Sequence, residues 1–113
     1  MVKVKKVSDV KKEGIKDVPG VKIQWVWAEK DGVPNFYFRV FEVEPGKNTP
    51  YHQHEWEHEV YVLEGEGVVK TDGEEHKINP GTSVYVPPNE FHQFVNTGNS
   101  ILKFICIIPK SKY

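Results

Sequence analysis

The sequence predicts an all-β domain, a sandwich or barrel built from short strands. Three observations carry this expectation. Short runs rich in valine, isoleucine and aromatic residues recur along the chain. Glycine and proline punctuate them, as at Pro19-Gly20, Pro45-Gly46 and Asp72-Gly73. No segment shows convincing helical periodicity, and close-spaced strands broken by turn residues are the pattern of sandwiches and barrels.

The elements follow in order. Val2 and Val4 alternate with Lys3 and Lys5, which predicts an edge strand within residues 2–7. Residues 9–20 are polar and end in Pro19-Gly20, so they are expected to connect. One helical turn within 9–17 is weakened by Gly14. Val21–Glu29 is β-branched and aromatic, and Phe36–Val43 is a second strand closed by Pro45-Gly46. Val60–Leu63 and Val68–Lys70 come next, with Gly65 and Gly67 between them. Asp72-Gly73 is the strongest hairpin signal in the chain. Ser83–Val86, Gln93–Val95 and Ile101–Ile108 complete the set, with a turn at residues 96–99.

With 113 residues the chain is expected to form a single domain spanning 1–113, with 1–20 as N-terminal strand and connection and 21–113 as barrel. Hydrophobic residues make up 38% and charged residues 27%, the balance of an ordinary soluble protein. No apolar run reaches the ~20 residues that span a bilayer, so no membrane association is expected. Net charge is −1, and no basic run follows the N-terminal lysines, which argues against a nucleic-acid partner. The N-terminus lacks the apolar stretch of a signal peptide. Cys106 is the single cysteine and can form no intrachain disulfide. The expected location is cytoplasmic.

Four of the five histidines suggest a metal site. His52, His54 and His58 share one parity, so an extended backbone would point them the same way. His92 arrives from another strand. Imidazole is the commonest protein ligand for divalent transition metals. Glu59 is an alternative ligand to His58, though the shared parity favours His58. His76, on the Asp72-Gly73 hairpin, reads as a surface residue.

The spacing resembles the cupin family. Gly46, His52, His54 and Gly65 occupy the fixed points of its first motif, with His58 where the family usually has glutamate. Gly81, Pro87, His92 and Asn96 match its second motif. Asn89 stands in place of a glycine, and asparagine tolerates the left-handed conformation better than most residues. The chain is similar to the small single-domain cupins with four histidine ligands. That resemblance implies a jelly-roll fold, a double-stranded β-helix with the metal inside the barrel, and a homodimer. It also implies manganese. Iron, zinc, nickel or copper would suit the same donors, and imidazole binds copper, nickel and zinc more tightly.

Other residues are candidates for a substrate pocket. Arg39 shares the inward parity of Tyr37, Phe41 and Val43. Its guanidinium suits an anionic substrate, or else pairs with a glutamate at the barrel mouth. Trp56 shares the histidines' parity and either walls the pocket or packs in the core. Phe104 and Cys106 lie on the last strand. Cys106 is either a thiol beside the metal or an inert buried cysteine. The expected function is a metal-dependent, dioxygenase-like oxidoreductase acting on a small anionic or aromatic molecule. A non-catalytic small-molecule or metal-binding module, or an isomerase, is the alternative, because fold alone does not fix the chemistry.

Overall fold

The computed structural model describes residues 1–110. The expected barrel boundary at 113 therefore runs into residues 111–113, outside the described residues. Among the described residues nine strands form: β1 (Glu13–Ile15), β2 (Val18–Trp27), β3 (Phe36–Val43), β4 (His58–Glu64), β5 (Gly67–Thr71), β6 (Glu74–Ile78), β7 (Ser83–Val86), β8 (His92–Asn96) and β9 (Leu102–Pro109). No α-helix occurs among the described residues, only short 3-10 turns at Val7–Asp9 and Glu29–Asp31. All strand pairs are antiparallel. They build a six-stranded sheet in the order β1-β2-β3-β9-β4-β7 and a three-stranded sheet in the order β6-β5-β8. This is the jelly-roll barrel that the sequence predicts.

The apolar alternation decides which face is inside. In β9, Leu102, Phe104, Cys106 and Ile108 are buried, while Lys103, Ile105 and Ile107 alternate outward. In β3, Tyr37, Arg39 and Val43 are buried on the inner side, as their parity predicts. Each fully buried aliphatic or aromatic side chain contributes about 1.5–3 kcal/mol relative to exposure. Asp72-Gly73 makes the two-residue hairpin, pairing Thr71 with Glu74.

Two motif residues hold the sheets together. Gly65 has φ +85°, and a Cβ there would run into the Ile101 carbonyl oxygen and the Leu102 backbone. Only glycine permits that close approach. Asn96 is 2% exposed. Its Nδ2 donates to the Val43 and Ser100 carbonyls, each at 2.8 Å, and its Oδ1 accepts from Gly98 N–H at 2.9 Å.

The N-terminus departs from expectation. Residues 2–7 form no strand, and Val2 and Val4 are exposed. Instead β1 lies within the segment read as a connection, and β2 begins at Val18 and runs through Pro19-Gly20. The physical reason is that β1 already occupies the open edge of β2 through a tight, bulged turn at Lys16–Asp17. Asp17 takes φ +61° there. Residues 5–10 lie across the outside of β2. The Gln24 side chain donates to the Val7 and Val10 carbonyls at 2.9 and 3.0 Å, and Lys5 donates to the Val26 carbonyl at 2.7 Å.

Candidate metal centre

His52, His54 and His92 converge, with the His58 ring packed beside them, and residues 52, 54, 56 and 58 alternate with exposed residues 53, 55 and 57. His58 opens β4 and His92 opens β8. His52 lies outside the strands in a two-way bridge with His92: each backbone N–H donates to the other's carbonyl, at 3.2 and 2.9 Å. The chain bends at Glu55–Trp56, between His54 and His58. The His54 carbonyl accepts from Asn89 N–H at 2.6 Å. Asn89 adopts the left-handed conformation expected of it, with φ +65°. The two motif loops are thus tied by backbone hydrogen bonds.

His52, His54 and His92 bring one ligating nitrogen each within 4.8 Å of one another. The His58 ring packs against this set, 4.8 Å from the His92 ring and 5.2 Å from that of His54 between centroids. Glu59 points to the opposite side of β4 and is exposed. Glu55, Glu57 and Glu90 are exposed as well, so none of the carboxylates near these histidines in sequence is buried with them.

Hydrogen bonding orients two of the rings. His92 Nδ1 lies 2.9 Å from the Glu90 carbonyl oxygen. A carbonyl only accepts, so Nδ1 carries the hydrogen and Nε2 keeps its lone pair. His58 Nδ1 lies 3.4 Å from Cys106 Sγ, and its buried Nε2 has no hydrogen-bond partner. An unpartnered buried imidazole nitrogen beside three converging imidazoles fits a metal ligand.

All four rings resist protonation. Burial pushes His52 down to about 4, with repulsion from His54, His92 and Arg39 adding to it. His58 is pushed down to about 3, first by burial and then by its charged and imidazole neighbours. Burial also lowers His54 and His92, and in His92 it outweighs the Glu90 carbonyl, which pulls upward. Neutral imidazole is the ligating form. The donor set therefore fits a divalent transition metal.

The histidines line one cavity of about 390 Å³. Trp25, Phe41, Phe94 and Phe104 supply aromatic wall, and β1 borders it through Glu13, Gly14 and Ile15. Arg39 is 2% exposed and lines the same cavity. Its guanidinium donates to Cys106 Sγ at 3.0 Å and lies over the rings of Phe41 and Trp25, at 4.9 and 5.5 Å. Such stacking holds an arginine without removing its charge.

The Cupin_2 family, a cupin domain, matches residues 39–108, more than half of the chain. The chain belongs to the cupin family. Among solved structures this cupin is similar to the polyketide cyclase RemF of Streptomyces resistomycificus. The TM-score is 0.89 and identity 33%, covering 96% of this chain and 80% of that one. It is also similar to a predicted oxalate decarboxylase of Thermotoga maritima, with TM-score 0.83, 29% identity, and 96% and 99% covered. Among curated proteins it is 39% identical over 95 residues to a glucose-6-phosphate isomerase of Pyrococcus abyssi, covering 72% of this chain and 49% of that protein. It spans less than two thirds of the length of each curated relative it matches.

The cupin's cavity takes in three of the four candidate pocket residues. Arg39, Phe104 and Cys106 line the cavity. Trp56 does not: its ring stacks on the His54 ring at 4.4 Å, nearly parallel. Of its two readings, Trp56 takes core packing, partly buried against the hydrophobic cluster. Sequence reasoning missed Trp25 and Phe94 as wall residues. The signals were there, since Trp25 pairs with Arg39 across β2 and β3 and Phe94 lies two residues after His92. His76 is on the surface beside Glu74, as expected.

Proposed function

We propose that this cupin is a metal-dependent, dioxygenase-like oxidoreductase acting on a small molecule that is anionic, aromatic or both. The observation that carries the reading is the clustering of four neutral histidines in a cavity that also holds a buried arginine. His52, His54, His58 and His92 are the ligands in this reading, and manganese is the native metal. A bound divalent ion would supply Lewis acidity to an oxygen donor of the substrate. The four imidazoles bring no negative charge, so the site attracts an anion. Arg39 orients that anion through its fork of N–H donors. Trp25, Phe41 and Phe104 exclude water from the substrate's apolar part. RemF is a polyketide cyclase and one curated relative is a quercetin 2,3-dioxygenase, which supports an aromatic substrate.

The test is oxygen consumption by manganese- or iron-loaded protein with phenolic compounds and keto acids. Uptake that requires the metal and is lost in Arg39→Gln is expected. Tight binding of such molecules with no uptake would favour the non-catalytic module; the similarity to an oxalate-binding protein of Thermotoga maritima, 36% identical over 72 residues, supports that second reading.

The protein is further proposed to be a cytoplasmic homodimer. No helix among the described residues is long and apolar enough to cross a membrane. The outer face of β3, β9, β4 and β7 exposes Phe36, Tyr61, Leu63 and Tyr85. Large exposed apolar side chains on one sheet face favour self-association. This face is proposed as the dimer surface, since residues 5–10 lie along their own β2.

A further inference from the structure

We propose that Cys106 is a positioning residue, whose sulfur, held by Arg39, keeps His58 with its hydrogen on Nδ1 and its Nε2 lone pair toward the metal. This rests on the four-histidine reading above. Strand register sets the geometry. Cys106 pairs with Arg39 of β3 on one side and with Val60 of β4 on the other, two residues along from His58. All three side chains are buried, His58 at 5% exposure. The sulfur therefore sits between the guanidinium, at 3.0 Å, and His58 Nδ1, at 3.4 Å.

Chemistry assigns the direction of the contacts. A guanidinium has donors only, so the sulfur accepts from Arg39. A neutral imidazole carries one hydrogen. On Nε2 it would be a donor buried without a partner, since no hydrogen-bond acceptor meets that atom. On Nδ1 it reaches the sulfur and frees Nε2 to ligate. His92 provides the parallel case within the same site, with a backbone carbonyl on Nδ1. Metal-ligating histidines are generally fixed by an acceptor on the second nitrogen, and losing that acceptor weakens metal binding about 10–100-fold. The sulfur is thus the counterpart, for His58, of the Glu90 carbonyl.

Three measurements on the full chain test this, with diamagnetic zinc as probe. In metal-free protein with ¹⁵N-labelled histidine at neutral pH, His58 should carry its hydrogen on Nδ1. Cys106→Val, of similar size but without an acceptor, should move it toward Nε2. In chelator competition, Cys106→Val should raise the zinc dissociation constant about tenfold or more. Cys106→Ser, which restores an acceptor, should recover part of the loss. In a His58→Ala background, Cys106→Val should cost nothing further. An unchanged tautomer in Cys106→Val, or an equal loss with and without His58, would overturn the role of Cys106 while leaving the four-histidine site standing. Wild-type zinc affinity in His58→Ala would overturn both.

Discussion

At the scale of single residues, the site is a competition between protons and a metal for the same imidazole nitrogens. His58→Ala should strongly reduce bound metal, whereas Glu59→Ala, on the far face of β4, should retain it. Elemental analysis of the purified variants decides between them, and the reverse pattern would sink the ligand assignment. The pH dependence follows from the depressed histidines. Above pH 6.5 the metal-free rings are neutral in both folded and unfolded chains and contribute nothing. As pH falls from 6.5 toward about 4 for His52 and about 3 for His58, the unfolded chain takes up protons that the folded one refuses. Folded metal-free protein is then progressively destabilised until those lower values are passed. Thermal melts of metal-free protein should therefore fall steadily between pH 6.5 and 4. Metal should be retained at pH 6 and released well below it, and full metal content at pH 3 would argue against an all-histidine site.

At the scale of elements, the jelly roll depends on a few polar and glycine positions as much as on its apolar alternation. Asn96 ends β8 and ties it to the end of β3 and to the following loop. Asn96→Ala would leave two buried carbonyls and one N–H without their partner. The expected loss is at least about 2 kcal/mol, or a melting temperature lower by roughly 10 °C. A melt within a degree of wild type would mean water replaces the amide. Strands with a full inner and outer alternation were legible from sequence: β3 and β7 begin and end where the residues predict. The misreadings fell where propensity and partner availability conflict. Residues 2–7 alternate like a strand but do not pair, while Glu13–Ile15, which alternates poorly, takes the edge of β2. Alternation describes a face, and only the sheet decides which segment pairs.

At the scale of the whole molecule, the core is expected to hold without the metal. The buried cluster of valine, leucine, isoleucine and phenylalanine runs through both sheets, with the histidines in a cavity beside it. Chelator-treated protein should keep its β-sheet circular dichroism and melt at a lower temperature. Collapse to a random coil would make the metal structural, as in a zinc finger. Light scattering should give twice the 13.0 kDa chain mass. Tyr61→Glu with Tyr85→Glu should yield monomer by placing charge on the exposed sheet face. Deleting residues 1–4 should leave the dimer intact, because Val2 and Val4 are exposed and Lys5 onward makes the contacts to β2. A deletion that dissociates the dimer would return the interface to the N-terminus.

By itself the sequence determined an all-β fold, through short strands between turn-forming residues, and singled out His52, His54, His58 and His92 through their spacing. These are local properties, written in residue order. Only the tertiary structure decided how the histidines meet, because His54 lies outside any strand, with its carbonyl held by Asn89 N–H. It alone decided that Trp56 stacks behind His54, that Trp25 and Phe94 wall the cavity, and that Cys106 lies between Arg39 and His58. Each of these depends on which strand lies beside which, and register between distant strands is set by the packing of the whole barrel.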